Sequence, residues 1–173
     1  KSRIATKPFI VVNNIANELV EKFIEKAEGL RLGDPLSDDT DIGPLVNANA
    51  IKKIDSQVKE AVREGAEVLI GGEQIGERGY FYKPTVLRNV NPKMSIAQEE
   101  VFGPVAPIIV AGDEVEAIEY ANDSEYGLGA SIWTQDLDKA ERFSNSLESG
   151  IVSVNNVVAS DPRVPFGGVK KSG

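Results

Sequence analysis

The stretch from Leu128 to Asn155 constrains the fold more than any other. Leu128-Gly129-Ala130-Ser131-Ile132-Trp133-Thr134 reads as a strand, Asp136 to about Leu147 as a helix, and Gly150-Ile151-Val152-Ser153-Val154-Asn155 as a second strand. Two strands separated by a helix cannot close as a tight hairpin, so they pair in parallel through a right-handed crossover. A chain holding such a unit is expected to be a layered α/β protein: three layers, a mostly parallel sheet with helices on both faces. Ligands of such sheets gather at the carboxyl ends of the strands. Here those ends are Asn155-Asn156 and the loop Ser160 to Gly168.

The rest of the chain agrees. Ile4 to Val12 contains the apolar run Phe9-Ile10-Val11-Val12, a buried strand ended by Asn13-Asn14. From Ile15, apolar residues recur at three- and four-residue steps through Leu30, the mark of an amphipathic helix, and Gly29 and Gly33 mark its exit. The acidic, turn-rich segment Gly33 to Leu45 reads as a surface loop, since its aspartates lack the spacing of a calcium loop. A second helix is predicted over about Ala48 to Glu64, then a short strand Val68-Leu69-Ile70 closed by a Gly71-Gly72 turn. Gly79 to Leu87 is aromatic and β-branched, and Pro84 places that strand at an edge or bulge. Val105 to Val110 is a strand, and Asp113, with an acidic residue three places on, starts a helix to about Asn122.

Between those elements lies Gln98-Glu99-Glu100-Val101-Phe102-Gly103-Pro104-Val105. If this segment is extended, Glu100 and Phe102 project from the same side and offer a hydrogen-bond acceptor beside a flat apolar surface. Gly103-Pro104 limits helix continuation and sets the turn into the next strand. From these residues alone two readings stand, a strand-entry turn with a solvated acidic pair or one wall of a binding site.

Composition narrows the chemistry. Across 173 residues with 41% hydrophobic content, one domain with its own core is expected. The chain has no cysteine and no histidine, so thiolate nucleophiles, imidazole bases, disulfides and most transition-metal sites are excluded. A net charge of −8 disfavours nucleic acid and anionic membranes as partners. No apolar run approaches the roughly 20 residues that span a bilayer, so a cytoplasmic setting is expected.

Taken together, Gly33-Asp34-Pro35-Leu36 with Ile42-Gly43-Pro44-Leu45, Gly79 to Leu87, Glu99 to Val105, Tyr126-Gly127-Leu128 and Pro165 to Gly173 occur in the order found in the NAD(P)-dependent aldehyde dehydrogenases. The chain resembles that family along essentially its whole length. The resemblance implies that residues 1–173 are a truncated catalytic domain, without the nucleotide-binding domain, whose reaction is oxidation of an aldehyde to a carboxylic acid with NAD or NADP. It implies that Glu100 accepts hydrogen bonds from the nicotinamide ribose hydroxyls and that Phe102 lies beside that ribose and ring. Asn155, Arg163 and Phe166 would border the aldehyde pocket, where Arg163 could contact an acidic aldehyde. Family members also form homo-oligomers largely through this domain.

The resemblance also exposes a mismatch. The family's reaction needs a cysteine thiolate, and an ungapped count places Arg3 in its position. A guanidinium stays protonated and cannot add to a carbonyl, so this chain alone is expected to be inactive. Either the first residues are a fragment boundary, or the nucleophile has been lost and Arg3 pairs with Glu100 across the former substrate site. Three functions remain open: an aldehyde dehydrogenase-like catalytic domain, a non-enzymatic oligomerisation or interaction module, and a half-enzyme completed by a separate nucleotide-binding chain.

Overall fold

The computed structural model describes residues 8–76 and 79–173. They form two compact units, one running to Gly112 and the other spanning Asp113–Gly173.

The first unit is built on a four-stranded sheet. Its strands are β1 (Phe9–Val12), β2 (Glu67–Ile70), β5 (Thr85–Arg88) and β6 (Val105–Ala111), in the order β1-β6-β5-β2. β6 pairs in parallel with both β1 and β5, and β2 is antiparallel to β5. Five consecutive residues at the start of β6 are buried, which requires cover on both faces of the sheet. On one face α1 (Asn13–Glu28) brings Leu19, Val20, Phe23 and Ile24 against Val11, Val86 and Ile108. Phe9 and Phe23 meet edge to face at 5.0 Å. Thr85, Leu87 and Ile109 alternate to the other face and are buried as well. The α/β class with a mostly parallel sheet is therefore as expected.

Two boundaries differ from the sequence reading. Asn13-Asn14 open α1 rather than close β1, because Val12, still extended, serves as the N-cap. Gly79 to Leu87 is two strands: β4 (Phe81–Tyr82) pairs with β3 (Gln74–Ile75), while β5 enters the middle of the main sheet. Pro84 separates them, since it has no N–H to give a ladder, and pairing resumes where the Thr85 N–H donates to the Pro104 carbonyl at 2.8 Å.

Helix α2 (Ala48–Arg63) carries an apolar stripe of Ile51, Ile54, Val58 and Ala61, and Asn47 caps it by accepting from the Ala50 N–H at 3.0 Å. The loop before it spends its aspartates on itself. Asp41 and Asp39 bind the Arg31 guanidinium at 3.2 and 2.9 Å, and Asp34 accepts from the Leu36 N–H. The Arg31 backbone N–H, donating to the Asp41 carboxylate, and then the Arg31 guanidinium hold Asp41 below the usual carboxylate range. No group of side chains suited to a metal ion occurs among the described residues.

Tyr82 is buried in this unit, yet its hydroxyl has no hydrogen-bond partner among the described residues. Burial first, then the Asp55 and Glu73 charges, push its pKa from 10.0 up to about 12. An unfolded tyrosine ionises near 10.0 while the folded one keeps its proton, so this contribution to stability is complete below pH 10.0 and lost as pH rises through about 12. Tyr82→Phe is expected to raise stability at neutral pH by about 1 kcal/mol, because it removes an unsatisfied buried hydroxyl. It should also flatten the alkaline fall in melting temperature, and an unchanged alkaline profile would count against the assignment.

The second unit contains the predicted strand-helix-strand. β8 (Gly129–Ile132) and β9 (Ile151–Val154) pair in parallel, Gly129 opposite Ile151, with α5 (Leu137–Ser146) between them in sequence. Asp136 caps α5 by accepting from the Lys139 N–H, and Asp113 caps α4 (Glu114–Asn122) by accepting from Val115 and Glu116. Lys139 and Glu114 form an ion pair that ties α5 to the start of α4. β10 (Val169–Lys170) pairs antiparallel with β7 (Tyr126–Gly127). Lys170 Nζ reaches the Asn122 carbonyl and the Glu148 carboxylate, both at 2.6 Å. No described helix is long and apolar enough to cross a membrane.

Candidate active site

The segment carrying Glu100 is anchored at both ends. It leaves the single turn α3 (Ser95–Gln98) with Glu99 already extended, at φ −86° and ψ 161°. Exposure then alternates: Glu100 is exposed, Val101 is 3% exposed, and Phe102 is 46% exposed. That alternation is the extended geometry in which Glu100 and Phe102 share the outward side. The Glu100 carboxylate makes no hydrogen bond or ion pair among the described residues, so its acceptor capacity is open to a ligand. Beyond Phe102, the Val105 N–H donates to the Gly103 carbonyl at 2.8 Å and the segment turns into β6.

An unpaired carboxylate beside a half-exposed aromatic ring fits a ligand with vicinal hydroxyls next to a flat ring. Two carboxylate oxygens can accept from two hydroxyls, and the ring supplies apolar contact. The family resemblance assigns these residues to the nicotinamide-ribose end of a dinucleotide. The described residues contain no glycine-rich strand-to-helix turn that would take its phosphates.

In the second unit, Asn155 stands at the carboxyl end of β9 in a left-handed conformation, φ 51°. Its Oδ1 accepts from the Thr134 N–H at 2.9 Å and its Nδ2 donates to the Thr134 carbonyl at 2.8 Å. Both amide functions thus lock the carboxyl ends of β8 and β9 together. Arg163 forms a bidentate pair with Asp161, Nε and Nη2 to the two carboxylate oxygens at 2.9 and 2.6 Å. The pair lowers the Asp161 pKa and raises that of Arg163. Phe166 is exposed in the same loop. Glu100 and Phe102 are thus neighbours in the first unit, and Asn155, Arg163 and Phe166 belong to the second. Arg3, and with it any pairing to Glu100, lies outside the described residues.

One residue near the site was absent from the sequence reading. Gln57 is a polar residue in the apolar stripe of α2, 5% exposed, and its Nε2 donates to Glu99 Oε2 at 3.1 Å. Its signal was the break in a hydrophobic period, which sequence alone reads as a stripe edge.

The class that the fold defines is a layered α/β domain whose mostly parallel sheet is entered by an extended segment presenting a carboxylate and a ring. The sequence profile of the aldehyde dehydrogenase family matches residues 3–173, and the chain belongs to that family. It is 44% identical over 169 residues to the NAD(P)+ succinate semialdehyde dehydrogenase Sad of Escherichia coli K12, covering 98% of this chain and 37% of that protein. It is 41% identical over 173 residues to the NADP(+) succinate-semialdehyde dehydrogenase 1 of Mycobacterium bovis BCG, covering 100% of this chain and 38% of that protein. The crystal structure of succinate-semialdehyde dehydrogenase from Burkholderia pseudomallei superposes with a TM-score of 0.93 at 36% identity, over 97% of this chain and 35% of that one. That of betaine aldehyde dehydrogenase from Staphylococcus aureus, in complex with NAD+, gives 0.89 at 36% identity, over 94% and 33%. The chain therefore spans a little over a third of the length of the curated relatives it matches.

Proposed function

We propose that this chain is the catalytic-domain portion of an aldehyde dehydrogenase, contributing the nicotinamide wall and one side of the aldehyde pocket to NAD(P)-dependent oxidation of an aldehyde to its acid. The reading is carried by the outward pairing of an unengaged Glu100 with Phe102 across buried Val101. Bound NAD or NADP would supply the hydride acceptor. Glu100 would hold the two ribose hydroxyls and Phe102 would limit how the ring can tilt, which fixes the face presented to the substrate. Asn155 would act by keeping the pocket-side ends of β8 and β9 in register.

The substrate proposed is a small aldehyde bearing a carboxylate, as in the succinate semialdehyde relatives. Arg163 would recognise that carboxylate by exchanging Asp161 for it, so the Asp161 pair sets a threshold the substrate has to meet. The nucleophile and general base are not supplied by the described residues. With no cysteine among these 173 residues to attack the carbonyl, this chain by itself is expected to turn over no aldehyde.

The test is binding rather than turnover. Nicotinamide mononucleotide, titrated by NMR, should bind weakly. Glu100→Gln should weaken it at least about tenfold, as expected when hydrogen bonds to a charged acceptor worth about 1.5–3 kcal/mol are lost. Equal affinity in parent and variant would remove Glu100 from the site.

A second reading, an oligomerisation or interaction module, is favoured by the large apolar side chains exposed in the second unit, among them Trp133, Leu137, Val157 and Phe166. Sizing chromatography with light scattering decides it, and a strict monomer at high concentration would remove it.

A further inference from the structure

We infer that Gln57 is a positioning residue for the Glu100–Phe102 pair, acting through Glu99. The inference rests on the proposed role of that pair for its function, but not for its geometry.

Helix α2 grips the segment at two points one turn apart. Ile54 packs against Gly103 so closely that a methyl carbon there would overlap its Cδ1. Gln57, three residues on and so on the same face of the helix, donates from Nε2 to Glu99 Oε2 at 3.1 Å. Val101, between the two grips, is buried. The stretch from Glu99 to Gly103 is thus held at its start, middle and end. With Glu99 turned toward α2 and Val101 inward, Glu100 and Phe102 have only the outward side left.

The choice of glutamine at position 57 is otherwise hard to account for. Its neighbours on the stripe are Ile51, Ile54, Val58 and Ala61, where a leucine would bury more apolar surface. Instead the amide is 5% exposed, and its Oε1 has no partner among the described residues. A buried, half-satisfied amide destabilises the fold. Its single bond runs to the carboxylate next to Glu100, and a bond to an ionised acceptor is stronger and more directional than a neutral one. Positioning of that segment is the role that offsets the loss.

The test replaces phenylalanine by a fluorinated analogue throughout, assigns the Phe102 signal with Phe102→Leu, and reads it by fluorine NMR. Gln57→Leu is expected to melt at or above the parent temperature, to move or broaden the Phe102 signal while leaving that of Phe143 unchanged, and to weaken nicotinamide mononucleotide binding about tenfold, the lower end for one bond to a charged acceptor. Gln57→His, which restores an N–H donor, should return both readings toward the parent. Glu99→Gln, at an exposed residue, removes the ionised acceptor without touching the helix and should reproduce the shift. A Phe102 signal identical to the parent's in both Gln57→Leu and Glu99→Gln would overturn the inference. If the parent itself fails to bind the mononucleotide, the ribose role of Glu100 falls, while the fluorine signal still decides whether Gln57 positions the segment.

Discussion

Gly71→Ala is expected to destabilise the first unit by about 3 kcal/mol, from strain and overlap together. Gly71 lies at φ +75°, in the left-handed region where an L-residue loses roughly 1–2 kcal/mol. A Cβ there would also overlap the Pro84 carbonyl oxygen and sit 2.6 Å from Thr85 Oγ1. Neither atom can retreat. Pro84 precedes a central strand, and buried Thr85 uses its hydroxyl twice, accepting from the Gly72 N–H and donating to the Lys83 carbonyl, each at 2.8 Å. The turn, the start of β5 and the Pro84 break are therefore one assembly. Urea unfolding followed by far-ultraviolet circular dichroism would read the loss. Tryptophan fluorescence would not serve, because Trp133 belongs to the second unit and is 66% exposed. A loss below about 1 kcal/mol would mean that the turn relaxes freely, contrary to the rigidity of close-packed interiors.

The elements most legible in the sequence are those whose signal is local. The Asp113 and Asp136 caps, the apolar stripes of α1 and α2, and the strand-helix-strand from β8 to β9 each follow from spacing within a few residues. What sequence could not show was pairing between distant segments. Phe81-Tyr82 and Thr85 to Arg88 look like one β-branched run, and only their different partners, β3 on one side and β6 with β2 on the other, separate them. Val169-Lys170 shows no strand signal in the sequence, because two residues carry no periodicity. It is a strand because Tyr126–Gly127 lies beside it, and because the Gly127 N–H also donates to Ser172 Oγ at 3.2 Å.

The candidate site divides in the same way. That Glu100 and Phe102 share a side was readable from their spacing, because period-two alternation needs nothing beyond the segment itself. That Gln57, 42 positions before Glu99, holds that segment was not readable, because helix α2 shows only a polar interruption in its stripe. The family resemblance makes Asn155 a pocket-border residue. Its amide engages Thr134 on both sides, a use set by the parallel register of β8 and β9 rather than by any motif around it. Arg163 illustrates the reverse, since a partner two residues away, Asp161, already occupies the guanidinium in a local turn.

Gly103→Ala is the substitution that should most directly disturb the site, with an expected loss of about 3 kcal/mol, the upper end for overpacking a filled interior. The added methyl would overlap Ile54 Cδ1, with Ile54 Cγ1 at 3.3 Å and Leu45 Cδ2 at 3.7 Å behind it. Ile54 is 2% exposed and fixed on α2, so the strain is relieved by moving either the helix or the Glu100–Phe102 segment. Ile54→Val deletes the overlapping Cδ1 and nothing else. Alone it should cost about 1 kcal/mol, the usual result of losing one buried methyl. Combined with Gly103→Ala, it should return most of the lost stability, giving a coupling energy of more than about 1 kcal/mol in a double-mutant cycle. Additive losses would show that α2 and the segment do not share this contact. In the single Gly103→Ala variant, nicotinamide mononucleotide binding should fall with stability and recover in the double variant, because the contact that sets the packing also sets where Glu100 points.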